Sequence, residues 1–171
     1  MPIWSKLYQP KQTKFGAYKF FTDGAIPGHN KVTDFFYSFW CDLSKNGHKP
    51  SRADIQPVNL KKYLNRVILL DVTGDGPDIQ LTVRLIGTHV AAFYGELSGQ
   101  DINAMENKPA AARIYNICRQ VLQQDKPILT VTTGISSDKT HLEAYSLYMP
   151  LYDTAGKPHK IIASADILPI A

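Results

Sequence analysis

The side chains best suited to chemistry are five histidines, two cysteines, one strand arginine and a group of tyrosines. His29, His48, His89, His141 and His159 are scattered, with no zinc-type spacing and no cysteine pair beside them. His89 follows a strand pattern at the start of a helix pattern, where it can face a pocket and touch a haem or an anion. An isolated histidine is more simply a capping or surface residue, so no haem is assigned and His89 stays a candidate ligand contact. Cys41 and Cys118 lie in helix-like patterns and cannot build a disulfide framework; they fit free thiols in a reducing cytosol.

Arg84 sits on a strand opposite the face carrying Leu81, Val83 and Leu85. If that face meets a helix, its guanidinium needs a partner. One reading has it clamping a ligand carboxylate or phosphate. The other, preferred, pairs it with Asp54 or Asp71 and so locks the N-terminal region to the sheet. Tyr94, Tyr115, Tyr145 and Tyr148 can line a polar-aromatic pocket, though Tyr145 and Tyr148 cannot share a strand face because their separation is odd. The candidate ligand-binding residues are therefore Arg84, His89, Tyr94, Tyr115 and Tyr148. No nucleophile elbow, phosphate loop, paired-carboxylate motif or metal-ligand set is present, so no catalytic or metal residue is expected and the chain is read as a non-enzyme. Gly74-Asp75-Gly76 is a turn, since neither a following helix nor a Lys-Ser/Thr step accompanies it.

The elements that position these residues follow from the pattern. Val32, Phe35, Phe36, Phe39, Trp40 and Leu43 recur at helical spacing and make one aromatic face. Asn30 or Thr33 can cap its start and Asn46-Gly47 its end. This stripe is read as core capping the open end of the sheet, with a homodimer seam as the alternative. A loop through Pro50, Asp54 and Pro57 leads to a helical turn at Leu60 and Leu64. Residues 66–73 and 79–86 are strands joined by a glycine-rich turn, which suggests an antiparallel hairpin. A short helix at 88–95 precedes a second long helix at 109–124, with Asn107 as its cap and Ala110, Ile114, Ile117, Cys118, Val121 and Leu122 as its stripe. Strands at 128–134, 142–152 and 160–168 close the chain. Five strands interrupted by helices after the second imply an α+β domain, residues 31–171, with one sheet and its helices on one face.

Residues 1–30 read as an extended basic and aromatic arm without helical or strand period. Residues 1–31 carry five lysines against Asp23, while the remainder holds fourteen basic and fourteen acidic side chains. The net charge of +4 thus belongs to the arm. Its lysines are too dispersed for a lipid-binding switch, and a packed or solvated tail is expected, with no nucleic-acid partner. The opening MPIWSKLYQPK lacks a secretory layout, and no apolar run reaches spanning length, so a cytoplasmic setting without a membrane span is expected.

The order of elements matches the PAS layout, and five sequence pieces sharpen it: YSFWCDL, PSRADIQPVNLKKYL, VILLDV, VRLIGT and YMPLYDTAGKP. With Pro50 to Pro57 and Arg84 to Thr88 as the strongest, they stand in the order and spacing of the PAS_5 (DUF1457) family of proteobacterial proteins, which the run from Phe36 to Leu168 resembles. The resemblance implies a PAS-like five-stranded antiparallel sheet, a small ligand or partner protein held between sheet and helices, and Arg52, Asp54, Phe36 and Trp40 in structural or interface roles. It identifies no cofactor. With no kinase, cyclase or DNA-binding segment in these residues, output through a separate protein regulator is expected. Two functions remain: a module sensing an unidentified small molecule, and a ligand-free docking or dimerisation module.

Overall fold

Asn30 opens the first helix. Its side-chain carbonyl accepts the backbone N–H groups of Val32 at 2.8 Å and Thr33 at 3.0 Å, satisfying two donors that the first turn leaves free. The computed structural model describes residues 16–171, and in it this helix, α1, is Lys31–Leu43. The other elements are β1 (Ala17–Thr22), β2 (Val67–Thr73), β3 (Gln80–Ile86), α2 (Thr88–Tyr94), α3 (Lys108–Gln124), β4 (Ile128–Thr133), β5 (Leu142–Tyr152) and β6 (Pro158–Pro169). A 3-10 segment, Pro57–Arg66, leads into β2. Asn107 caps α3 by accepting the Ala110 N–H at 3.1 Å, and Asp125 in the left-handed region ends it.

The strands form one antiparallel sheet in the order β1-β4-β5-β6-β2-β3. The α+β reading with an antiparallel sheet is correct, and two details change. The sheet has six strands, because Ala17–Thr22, inside the stretch read as having no strand period, pairs with β4 from Ala17↔Thr133 to Thr22↔Ile128. Helices cover both faces rather than one. On the first face, Leu70, Ile128, Tyr148, Ile161 and Ala163 pack with Val90 of α2 and with Ile114, Ile117 and Cys118 of α3. On the second, Val67, Leu69, Leu147, Met149 and Ile162 pack with Val32 and Phe36 of α1 and with Leu60.

The period-2 alternation of side chains explains this double burial. Val67 and Leu69 face α1, whereas Leu70 faces α3. β5 and β6 are buried at successive positions, so neither shows the one-sided alternation of a half-exposed sheet. The aromatic stripe of α1 therefore lies across the second face instead of capping the sheet's end. Phe36 is fully buried there, a contribution of about 2–3 kcal/mol on transfer grounds. The Trp40 indole N–H donates to the Pro150 carbonyl at 2.9 Å.

The hairpin of β2 and β3 also departs from simple alternation. Leu70 pairs with Val83 but Leu69 pairs with Leu85, so Arg84 is an extra residue in a β-bulge. The bulge turns Leu85 away from Leu81 and Val83, to a position nearly half exposed, and brings Ile86 into the core. The expectation that Leu81, Val83 and Leu85 share one face fails at this point. Trp4, Tyr8, Phe15, Lys6, Lys11 and Lys14 lie outside the described residues.

Candidate functional site

Between the first face of the sheet and helices α2 and α3 lies a chamber of about 20 Å³. Tyr94 closes it from α2, Leu97 from the following loop, Arg113 and Ile114 from α3, and Tyr148 and Ser146 from β5. Most of the surrounding core is aliphatic, which makes the arginine conspicuous. Arg113 is 8% exposed, and among the described residues its Nε has no hydrogen-bond acceptor. Among the described residues no carboxylate forms an ion pair with it. An unpaired buried guanidinium is costly, because its hydration is lost and nothing of opposite charge replaces it.

The nearest polar groups are phenols, and they do not cancel this charge. Burial pushes the Tyr94 hydroxyl above its usual range, with the adjacent Arg113 guanidinium acting in the opposite sense. Tyr148 is shifted upward in the same way, by burial first, with Arg113 again opposing. Both phenols stay protonated at neutral pH and can donate to an oxygen placed beside Arg113. On the outer side of Tyr94 and Leu97 is an open cleft of about 820 Å³, also bordered by Glu106, Lys108 and Lys139. Tyr94 and Leu97 therefore form the wall between cleft and chamber.

Of the five residues singled out in the sequence, Tyr94 and Tyr148 meet in the chamber. Arg84 does not line it: the bulge sends its side chain to solvent, 70% exposed, with an Asp71 oxygen 3.9 Å away. The expected pairing with Asp71 is thus present, but as a surface contact of small energetic weight. Lys160 holds the same carboxylate more closely. The other suggested partner, Asp54, instead accepts the Ser51 backbone N–H at 2.8 Å and lies 2.9 Å from His48 Nε2, contacts that hold its carboxyl below the usual range. Arg52 donates to the Ile55 carbonyl at 3.0 Å, so the PSRAD loop is closed by its own local hydrogen bonds.

His89 and Tyr115 act as braces beside the chamber. The His89 Nε2 accepts the Ile167 N–H at 3.1 Å, which places the ring proton on Nδ1. Burial, followed by the nearby Arg66 charge, lowers the imidazole pKa, while Asp166 opposes the shift. The Tyr115 hydroxyl donates to the Asp101 carboxylate at 2.8 Å and accepts the Leu81 N–H at 3.0 Å. Burial pushes this phenol up to about 12, with the Asp101 carboxylate acting in the same direction.

Arg113 is the candidate site residue that the sequence reading does not single out. It lies three residues after Ala110 and four before Ile117, both in the stripe assigned to this helix, so a cation fell inside an apolar face. That is the informative exception to the burial rule. Among the described residues no group of three or more His, Cys, Asp or Glu is placed to hold a metal ion, and no helix is long and apolar enough to cross a membrane.

The PAS_5 model, a PAS domain, matches residues 29–165. A solved structure of an RNA-binding light-oxygen-voltage receptor is similar over 88% of this chain, with 11% sequence identity and a TM-score of 0.46. This chain spans 38% of that receptor's chain. No curated protein matches the sequence.

Proposed function

We propose that this chain, which belongs to the PAS_5 family of PAS domains, senses a small molecule in the chamber between α2, α3 and the sheet. The observation that carries this reading is the convergence of Arg113, Tyr94 and Tyr148, with Ser146 and Ser164 beside them, on one cavity inside a largely aliphatic core. Among the described residues the Arg113 Nε and the Ser164 Oγ have no hydrogen-bond partner there, and no group of the chamber forms the acid–base or nucleophile arrangement that catalysis requires. Ligand entry changes the position of the Tyr94–Leu97 wall, and the change is read by a protein regulator in the cytoplasm. Such signalling requires the ligand to bind the two wall positions with different affinity.

A thermal-shift screen of the intact chain against small metabolites tests the reading. A sensed compound at about 100 times its Kd should raise Tm by roughly 5–10 °C. A screen in which no compound stabilises the wild type more than a chamber-filling Ala163→Leu variant would count against it.

One feature favours the second reading, a docking module. Leu64 and Leu85 stand 41% and 46% exposed beside an apolar groove that includes Ile55, Leu60 and Ile162. A regulator placing an apolar side chain there would use the bulge that turned Leu85 outward. Loss of regulator binding in Leu85→Asp, with thermal stability retained, supports docking as the output surface; unchanged binding removes it.

A further inference from the structure

We propose that the chamber is a receptor for a small carboxylate anion, clamped by the Arg113 guanidinium and by hydrogen bonds from Tyr94 and Tyr148. The proposal rests on the ligand-sensing reading above and gives its ligand a chemical class.

The charge of the site selects the class. Arg113 is more than nine-tenths buried, and among the described residues its Nε lacks an acceptor and it is the chamber's only basic side chain. A neutral ligand would leave that charge uncompensated. A doubly charged phosphate would bring one negative charge too many into a low-dielectric space. A carboxylate matches both the single charge and the planar fork of donors that a guanidinium presents. The two flanking hydroxyls can donate to the oxygen lone pairs that the arginine leaves free.

Size and access constrain the ligand further. A chamber of about 20 Å³ holds roughly one water-sized species. A carboxylate with its carbon tail needs the wall of Tyr94 and Leu97 to move outward, which would join the chamber to the 820 Å³ cleft. The wall is flanked by two glycines, the second of which ties its far end to β3 by donating its N–H to the Val83 carbonyl at 2.7 Å. Leu97 lies between Gly95 at φ 95° and Gly99 at φ 81°, two positions in the left-handed range that tolerate large backbone changes. The cleft rim carries Lys108 and Lys139 but also Glu96, Glu106 and Asp138, so selectivity for an anion comes from Arg113 rather than from the approach.

The test is an NMR titration of the isotope-labelled full chain, following the Arg113 Nε–H resonance, assigned by its absence in Arg113→Lys. Sodium acetate carries the recognised group, acetamide is its neutral isostere, and sodium chloride controls for ionic strength. The expected result is a saturable shift with acetate alone, weakened by at least about fivefold in Tyr94→Phe, which keeps the aromatic packing and loses one donor. No saturable shift with acetate, or an equal response to acetamide or chloride, would overturn the proposal. A neutral compound from the thermal-shift screen that binds without moving the Arg113 resonance would overturn the carboxylate assignment while leaving ligand sensing intact. Failure of both experiments would remove both readings.

Discussion

Gly87 lies against the backbone of Asn65 so closely that a Cβ on residue 87 would stand 2.2 Å from the Asn65 carbonyl oxygen. Its φ of −70° is open to any residue, so the requirement is space alone. The same residue donates its N–H to the Val67 carbonyl at 2.7 Å, fixing the end of β3 to the start of β2. This contact accounts for the glycine of the RLIGT segment.

Gly87→Ala must push backbone away from backbone, which has no flexible end to absorb the strain. A loss of about 2–3 kcal/mol is expected, at the upper end of ordinary overpacking. Urea unfolding should show a lower midpoint with an unchanged m-value. A wild-type midpoint would show that Asn65 yields freely.

Asp166 joins three elements on β6. One carboxylate oxygen accepts from Arg66 Nε at 2.9 Å, and the other accepts from the side chain of Asn30, the cap of α1, at 3.0 Å. Asp166→Asn leaves Arg66 without its counter-charge. Because Arg66 keeps about a quarter of its exposure, a loss near 3 kcal/mol is expected, the low end for breaking a buried pair. The loss should add to that of an Arg66→Ala variant by much less than the simple sum in a double-mutant cycle. Full additivity would deny the coupling.

His89 predicts the acid side of the stability profile. Its folded pKa lies below the ordinary 6.5, by burial first and then by Arg66. The unfolded chain therefore binds the proton more readily. The stability is fully present above about pH 6.5 and is lost as pH falls toward the folded pKa. Protonation would also abolish the acceptor that Nε2 offers to the Ile167 N–H. Wild-type Tm should fall from about pH 7.5 to 5.5 more steeply than that of His89→Gln. Parallel profiles would show that another group governs this range.

The helices and strands of residues 31–168 are legible because their hydrophobic periods and caps are local. Asn30, Asn107 and the alternating run from Ile79 to Val83 need no tertiary information. The sixth strand was not, since β1 has an irregular burial pattern and owes its state to pairing with β4. The bulge at Arg84 was hidden because its cause lies in the register of the partner strand. Tyr94 and Tyr148 were readable as pocket candidates from type and placement. Their distinction from Tyr115 was not, because that depends on Asp101, which only the folded chain brings to the hydroxyl. Arg113 had a signal, a cation within an apolar stripe, and its meaning required knowing that no carboxylate meets it.

Binding of a small molecule in the chamber is open to native mass spectrometry of the gently purified full chain, paired with its denatured mass. The expected result is an added mass that is lost on denaturation and absent from the chamber-filling Ala163→Leu variant. A single unliganded mass for the wild type under conditions that preserve weak complexes, or an adduct that Ala163→Leu retains in full, would contradict it.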